Sequence, residues 1–187
     1  MDYRCRAVIE RMPTGNGPAP GIAAAQAELL KLAGAGTPGY EQIRRTVDTL
    51  VPFVNKVGVR ITELGPGSAV AEVPEQPDMM NHLGTVHAGA LFLAAEVACA
   101  GAFSGAVAPR ILHVRTFVLR DCRSTFLKPA RGRIRARGTV SSPALAAAVR
   151  SRAEEQFDLT GKALLYDDRE NLIAKVDLDY LCWLGAA

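Results

Sequence analysis

The stretch NHLGTVHAGALFLAAEVACAGAF, Asn81 to Phe103, carries most of the architectural information in this chain of 187 residues. It opens with a polar cluster, Asn81 to Gly89, and runs into a helical segment that is apolar on every side. Between Val86 and Ala108, 23 residues, the only carboxylate is Glu96. A bilayer core is crossed by about 20 apolar residues, so length alone permits a span. Composition argues against it: a carboxylate near the middle of a span costs about 2.5 to 3.5 kcal/mol, and Ala and Gly fill much of the rest. A helix apolar all round is equally one enclosed by protein, and that is the expectation here.

The enclosing material lies on both sides of the stretch. Upstream, Val57, Val59 and Ile61 alternate with Gly58, Arg60 and Thr62, and Gly65-Pro66-Gly67 turns the chain into Ser68 to Val73, which predicts a hairpin. Downstream, strand-like runs cover Val114 to Leu127, Gly132 to Val140, and Phe157 to Cys182, the last broken by a turn at Asp167 to Asn171. In its second arm Leu172, Ala174, Val176, Leu178 and Tyr180 share one face, and Lys175, Asp177 and Asp179 share the other. Ser142-Pro143 supplies a cap and first-turn proline for a helix from Ala144 to about Arg152. The result is an α+β chain in which an antiparallel sheet of about five or six strands curls around one long buried helix.

The N-terminal part is different in kind. Gly- and Pro-rich segments, Thr14 to Gly21 and Gly34 to Gly39, bracket a predicted helix from Ile22 to Ala33, and a second helix is expected from Tyr40 to about Val51, with Pro52 near its end. Residues 1–38 read as an appendage and 39–187 as the domain proper. The segment GAGTPG fits a dinucleotide-binding spacing but follows a helical pattern instead of a strand, and so is discarded. A net charge of +3, from 22 basic and 19 acidic residues, gives no case for nucleic acid as a partner. Cys5, Cys99, Cys122 and Cys182 are widely spaced, which predicts reduced thiols, and Asp2, Arg4, Arg6, Glu10 and Arg11 interrupt any secretory segment before Pro13. A cytoplasmic protein is the expectation.

The central stretch resembles the signature of hotdog-fold acyl-CoA thioesterases of the phenylacetic-acid-degradation (PaaI) type. There an Asn, then Gly-Thr, then His-Gly-Gly opens the central helix, and an acid follows the His. The matching positions are Asn81, Gly84-Thr85, His87 and Glu96, with Ala88 for the first Gly and Glu96 for the commoner Asp. FVLRDCRSTFLKPARGRIRARGTV, Phe117 to Val140, resembles the family's strand, Pro-Ala turn, Gly and next strand, so the likeness covers about residues 52 to 183. The resemblance implies the hotdog fold, here with extra N-terminal helices, and hydrolysis of an acyl-CoA thioester to free acid and coenzyme A. It also implies that Asn81 and the backbone N–H of Ala88 or Gly89 polarise the carbonyl, while Glu96 acts as base or nucleophile toward water. No metal or redox cofactor is called for. One departure concerns the strand position where related enzymes hold the water with Ser or Thr: counted back from Pro129, it falls on Leu119.

Physical chemistry gives the same residues a rationale. A thioester carbonyl that gains negative charge needs preorganised donors, and a helix start offers free N–H groups and the positive end of its dipole. His87 and Glu96 are nine residues apart, which at about 100° per residue places them on opposite sides of the helix and about 13 Å apart along it. One chain does not readily bring both to one carbonyl. A homodimer, or a homotetramer built from dimers, with sites at the subunit interface is therefore expected. His87 has two readings, a cap that orients the loop or a direct participant; Asn81 has a second reading as a residue that only stabilises the turn. His82 and His87 lack further convergent ligands for a metal. Glu96 has a structural alternative, pairing with Arg115 or Arg120. Arg131 and Arg133, continuing to Arg135 and Arg137, read as one basic strand face able to receive the coenzyme A phosphates, or as a solvated outer face. Tyr180 and Trp183 read as packing residues. The competing function is a non-catalytic module that binds acyl-CoA or an acyl ligand.

Overall fold

The computed structural model describes residues 18–34 and 36–187. Three helices come first: α1 (Pro20–Ala33), α2 (Tyr40–Asp48) and α3 (Pro52–Val57). Pro52 does not end the second helix, as the sequence suggested, but begins a third, because a proline is accommodated in a first turn where its missing N–H would be unpaired anyway. Val57 closes that helix, and Gly58, at φ 87°, provides its left-handed cap. The strand alternation therefore starts only at Val59, and β1 (Arg60–Gly65) turns through Gly67, φ 83°, into β2 (Ser68–Val73).

After a short 3-10 turn at Pro77–Met79 comes the long helix α4 (Ala88–Ala106), then β3 (Val114–Phe126), β4 (Ile134–Val140), α5 (Pro143–Arg150), β5 (Glu155–Tyr166) and β6 (Leu172–Leu184). Ser142 caps α5 as expected, its hydroxyl accepting from the Ala144 N–H at 3.1 Å. The six strands form one antiparallel sheet in the order β1-β2-β4-β5-β6-β3. This is the hotdog arrangement. In β6, Ala174, Val176, Leu178 and Tyr180 are buried, while Lys175, Asp177 and Asp179 are exposed, as their alternation requires.

Helix α4 packs against β1, β2, β4 and β5. Its small residues Ala94, Ala95, Ala98, Cys99 and Ala102 are fully buried. Although α4 is long and apolar enough to cross a bilayer, most of it lies inside the fold. The approach is very close at Gly138 on β4, where a Cβ would fall 2.5 Å from the Ala98 carbonyl carbon, backbone that cannot yield locally. Gly138→Ala should therefore destabilise the protein by about 3 kcal/mol, the upper range for overpacking, read as a lower midpoint in urea with an unchanged slope.

The two sheet edges differ. At β1, α2 lies alongside: the Asp48 carboxylate accepts from the Ile61 N–H at 2.6 Å, and Arg44 donates to the Ile61 carbonyl at 2.6 Å. Among the described residues β3 pairs with β6 alone, so its outer edge is open along most of its 13 residues. At the far end of that strand Phe126 is 49% exposed, and the next residue, Leu127, 47%. A long edge strand with apolar neighbours is a template for another strand.

Candidate functional site

The entrance of α4 is shaped by its own polar residues. His87 is the cap, in extended conformation at ψ 137°, and its Nδ1 accepts from the Gly89 N–H at 2.9 Å. That bond engages one of the two amides expected to face a carbonyl. The Ala88 N–H makes no hydrogen bond among the described residues, and Ala88 is an exposed residue. Before it, Asn81 folds the turn: its Oδ1 accepts from the Leu83 and Thr85 N–H groups, and its Nδ2 donates to the Thr85 hydroxyl at 2.9 Å. One Nδ2 hydrogen is thereby left for another acceptor. Asn81 and Ala88 line an open hollow of about 550 Å³ with Phe126, Leu127, Lys128 and Arg131.

Glu96 faces elsewhere. It lines a cavity of about 400 Å³ whose walls are largely apolar, among them Ile22, Ala25 and Leu29 of α1, Val54 of α3, Phe103 of α4, and Phe117 and Leu119 of β3. Half-buried Glu96 makes no hydrogen bond or ion pair with any described residue, and desolvation raises its pKa above the ordinary carboxylate value. The proposed partner Arg120 instead pairs with Asp158 at 2.8 Å. One turn along α4, burial pushes the Cys99 thiol up to about 12, which keeps it protonated and a poor nucleophile at neutral pH. Three of the residues lining the cavity stack their rings: Phe103 on Phe117 at 4.2 Å and Phe117 on Tyr180 at 4.3 Å.

Within one chain, then, the Asn81-to-Gly89 turn and Glu96 open onto separate hollows, as their spacing along α4 dictates. The arginines are arranged differently from the expected strand face. Gly132, at φ 69°, breaks the alternation, so β4 begins only at Ile134. Arg131 turns toward the α4 entrance and donates to the Gly84 carbonyl at 3.2 Å. Arg133 lies 3.9 Å from Glu72 and 3.8 Å from Asp168, whereas Arg135 and Arg137 both bond Glu170. Cys99, Cys122 and Cys182 are free thiols, and Cys5 lies outside the described residues. Among the described residues no three His, Cys, Asp or Glu side chains converge as metal ligands would.

Residues 39–181 match the family described as Domain of unknown function (DUF4442). The chain belongs to this family. Solved structures similar to this DUF4442 protein share its fold. A protein of unknown function from Pseudomonas aeruginosa, described as a probable thioesterase, is 23% identical with a TM-score of 0.61, covering 79% of this chain and 97% of that one. A thioesterase family protein from Silicibacter pomeroyi is 22% identical with a TM-score of 0.62, over 79% of this chain and all (100%) of the other. A variant of the phenylacetic acid degradation protein PaaI from Thermus thermophilus is 22% identical with a TM-score of 0.54, over 70% and 98%. Among curated proteins none matches.

The DUF4442 match begins after α1, so the helix that walls the Glu96 cavity with Ile22, Ala25 and Leu29 lies outside it. Two cavity features escaped the sequence. The α1 residues are apolar in a helical segment, a pattern that signals burial but not against what. Tyr180 was legible as a residue of the buried face of β6; that it lies opposite Leu119 in the β3–β6 ladder was not.

Proposed function

We propose that this protein hydrolyses acyl-CoA thioesters to a free acid and coenzyme A, at sites shared between two copies of the chain. The observation that carries the reading is Glu96: a carboxyl with no partner among the described residues, in a largely apolar cavity, whose desolvation raises its pKa, has the character of a general base. The open edge of β3 supports the shared site. The Glu96 cavity is bordered by the first half of that strand, Val114 to Leu119, and the Asn81 hollow by its far end, Phe126 and Leu127. Antiparallel pairing of β3 with its copy about a two-fold axis sets the first half of one strand beside the far end of the other. Each Glu96 cavity then adjoins the partner's α4 entrance.

In the reaction, water attacks the thioester carbon and Glu96 takes its proton. The carbonyl electron pair moves to oxygen, where the Ala88 N–H and the Asn81 amide receive it. Collapse breaks the C–S bond, and the proton passes from Glu96 to the departing thiolate. Arg131, with Lys128 beside it and Arg133 nearby, supplies positive charge for the coenzyme A phosphates. The acyl group enters the apolar Glu96 cavity. A second reading, an acyl-ligand binding module without turnover, draws on Leu119, an aliphatic wall where a hydroxyl is expected.

A complementation experiment tests the shared site. Ala88→Pro deletes one amide hydrogen at a first-turn position that tolerates proline, and His87 already has the extended conformation a following proline demands. It should lower kcat about 10²-fold. Glu96→Gln should be inactive. Mixing the two after partial denaturation should restore roughly a quarter of wild-type turnover, because half the dimers are mixed and each holds one intact site. Thiol release from a panel of acyl-CoAs is the readout, and no recovery on mixing would refute the shared site.

A further inference from the structure

Two helix faces shape the Glu96 cavity. On α4, Glu96, Ala100 and Phe103 border it at the i, i+4, i+7 spacing of one face, which runs onward from the carboxyl for about 10 Å at about 1.5 Å per residue. On α1, Ile22, Gln26 and Leu29 border it at the same spacing. Gln26 pins α1 in place: its amide donates to the Val114 carbonyl at 2.8 Å and to that of Ile111 at 3.4 Å, which uses both of its N–H groups. The Ser104 hydroxyl donates to the Ala100 carbonyl at 2.9 Å, and Tyr180 Oη is buried out of reach of an occupant. Apart from Glu96, then, no side-chain donor among the described residues is left for a keto or carboxylate oxygen on an acyl group, which would give up its hydrogen bonds to water unmatched. Both faces of the Phe117 ring are taken, by Phe103 and Tyr180, so that ring is not free to stack on an aromatic group.

We infer that the acyl group is a straight hydrocarbon chain of medium length, about eight carbons, lying along α4 from Glu96 toward Phe103, and that Ala100 and Ile22 are the residues that determine its length. This rests on the hydrolytic reading above for the thioester itself. Standard bond lengths and angles advance an extended chain by about 1.25 Å per bond, so about 10 Å of helix face takes about eight bonds. Volume sets the upper limit. At about 30 Å³ for a group the size of a water molecule, a cavity of about 400 Å³ takes roughly a dozen carbons and no long fatty chain. Every methylene moved from water into such a space tightens binding by up to about fourfold, which gives the preference for length its driving force. Ala100 is the smallest side chain on the α4 face, one turn from Glu96, and so leaves the space through which the chain passes. Ile22 borders the same space from a second helix.

Across straight-chain acyl-CoAs from acetyl to palmitoyl, kcat/KM should rise at least about tenfold from acetyl to octanoyl and fall beyond dodecanoyl. Ala100→Leu enlarges the wall by an isopropyl group and should move the preferred chain roughly three carbons shorter. Ile22→Ala removes a similar bulk and should move it longer by about as much. A folding defect lowers turnover of every chain length alike, so a displaced profile separates specificity from stability, and either variant suffices if the other fails to fold. A profile unmoved in a folded variant, or a preference for acetyl, phenylacyl or dicarboxylic thioesters over octanoyl, overturns the inference and, with Glu96→Gln inactive, spares the hydrolytic reading. Should wild type turn over no acyl-CoA, the hydrolytic reading falls and calorimetry with the same series decides the inference. Affinity must then grow at least about tenfold from acetyl to octanoyl, and an affinity independent of chain length refutes it.

Discussion

Glu96→Gln is expected to lower kcat by at least about 10³-fold while leaving acyl-CoA binding intact, because the amide keeps the shape of the carboxyl and cannot take a proton from water. Its effect on stability has the opposite sign and depends on pH. Burial raises the Glu96 pKa, so the folded chain holds that proton more tightly than the unfolded chain does. The group's contribution to stability is thus fully present below the ordinary value of 4.5 and is lost as pH rises through the raised one. Glutamine does not ionise. The variant should therefore melt higher than wild type at pH 8, and the gap should narrow toward pH 4. Wild-type turnover should show an acid limb above the ordinary carboxylate range, for the same reason. Binding without turnover in wild type, with a Gln variant indistinguishable from it, would favour the ligand-binding module.

A comparably large loss is expected in stability when Arg110 is replaced by methionine. This guanidinium is 4% exposed and has no carboxylate partner among the described residues. Backbone carbonyls surround it instead: Nη1 donates to Ala148 at 2.5 Å and Ser151 at 2.7 Å, and Nη2 donates to Ala153 at 3.1 Å and to Gly185. Ala148 and Ser151 belong to the last turn of α5 and its cap, where carbonyls lack helical partners and the dipole favours a cation. One side chain therefore fastens the end of α5, the start of the loop to β5 and the C-terminal segment after β6. Methionine fills the volume and leaves four carbonyls facing apolar surroundings. At about 1 kcal/mol or more for each, the loss is about 4 kcal/mol, which for a chain of this size lowers the melting temperature by roughly 8 to 16 °C. Arg110→Lys should recover only part of this, because an ammonium cannot span the fork of acceptors. Losses below about 1 kcal/mol in urea titrations would show that water replaces the guanidinium.

Much of this architecture is legible before any coordinates. Alternation in β6, the Gly65-Pro66-Gly67 turn, the Ser142-Pro143 cap and the all-round apolar α4 are local patterns, and local patterns survive in a linear reading. The misplacements occurred where one residue admits two local roles. Pro52 suits the end of a helix and the first turn of another; Gly132 suits a strand until its positive φ is known. At the candidate site, the α4 geometry is computable from a 3.6-residue repeat, so the separation of His87 from Glu96 could be anticipated. The neighbourhood of Glu96 could not. It depends on α1 being laid over β3 and on Tyr180 standing opposite Leu119, relations between residues 60 to 150 positions apart that no periodicity encodes.

The covering of β1 by α2 limits what this sheet can build. Arrays of strands lengthen without end only if every added copy presents a fresh unpaired margin. Here Asp48 and Arg44 hold the N–H and carbonyl of Ile61, so in the proposed pair joined through β3 a two-residue stopper occupies that stretch of the β1 margin and works against addition of a third copy. Variants that release this stopper would put that restraint to the test under conditions where aggregation is easily seen.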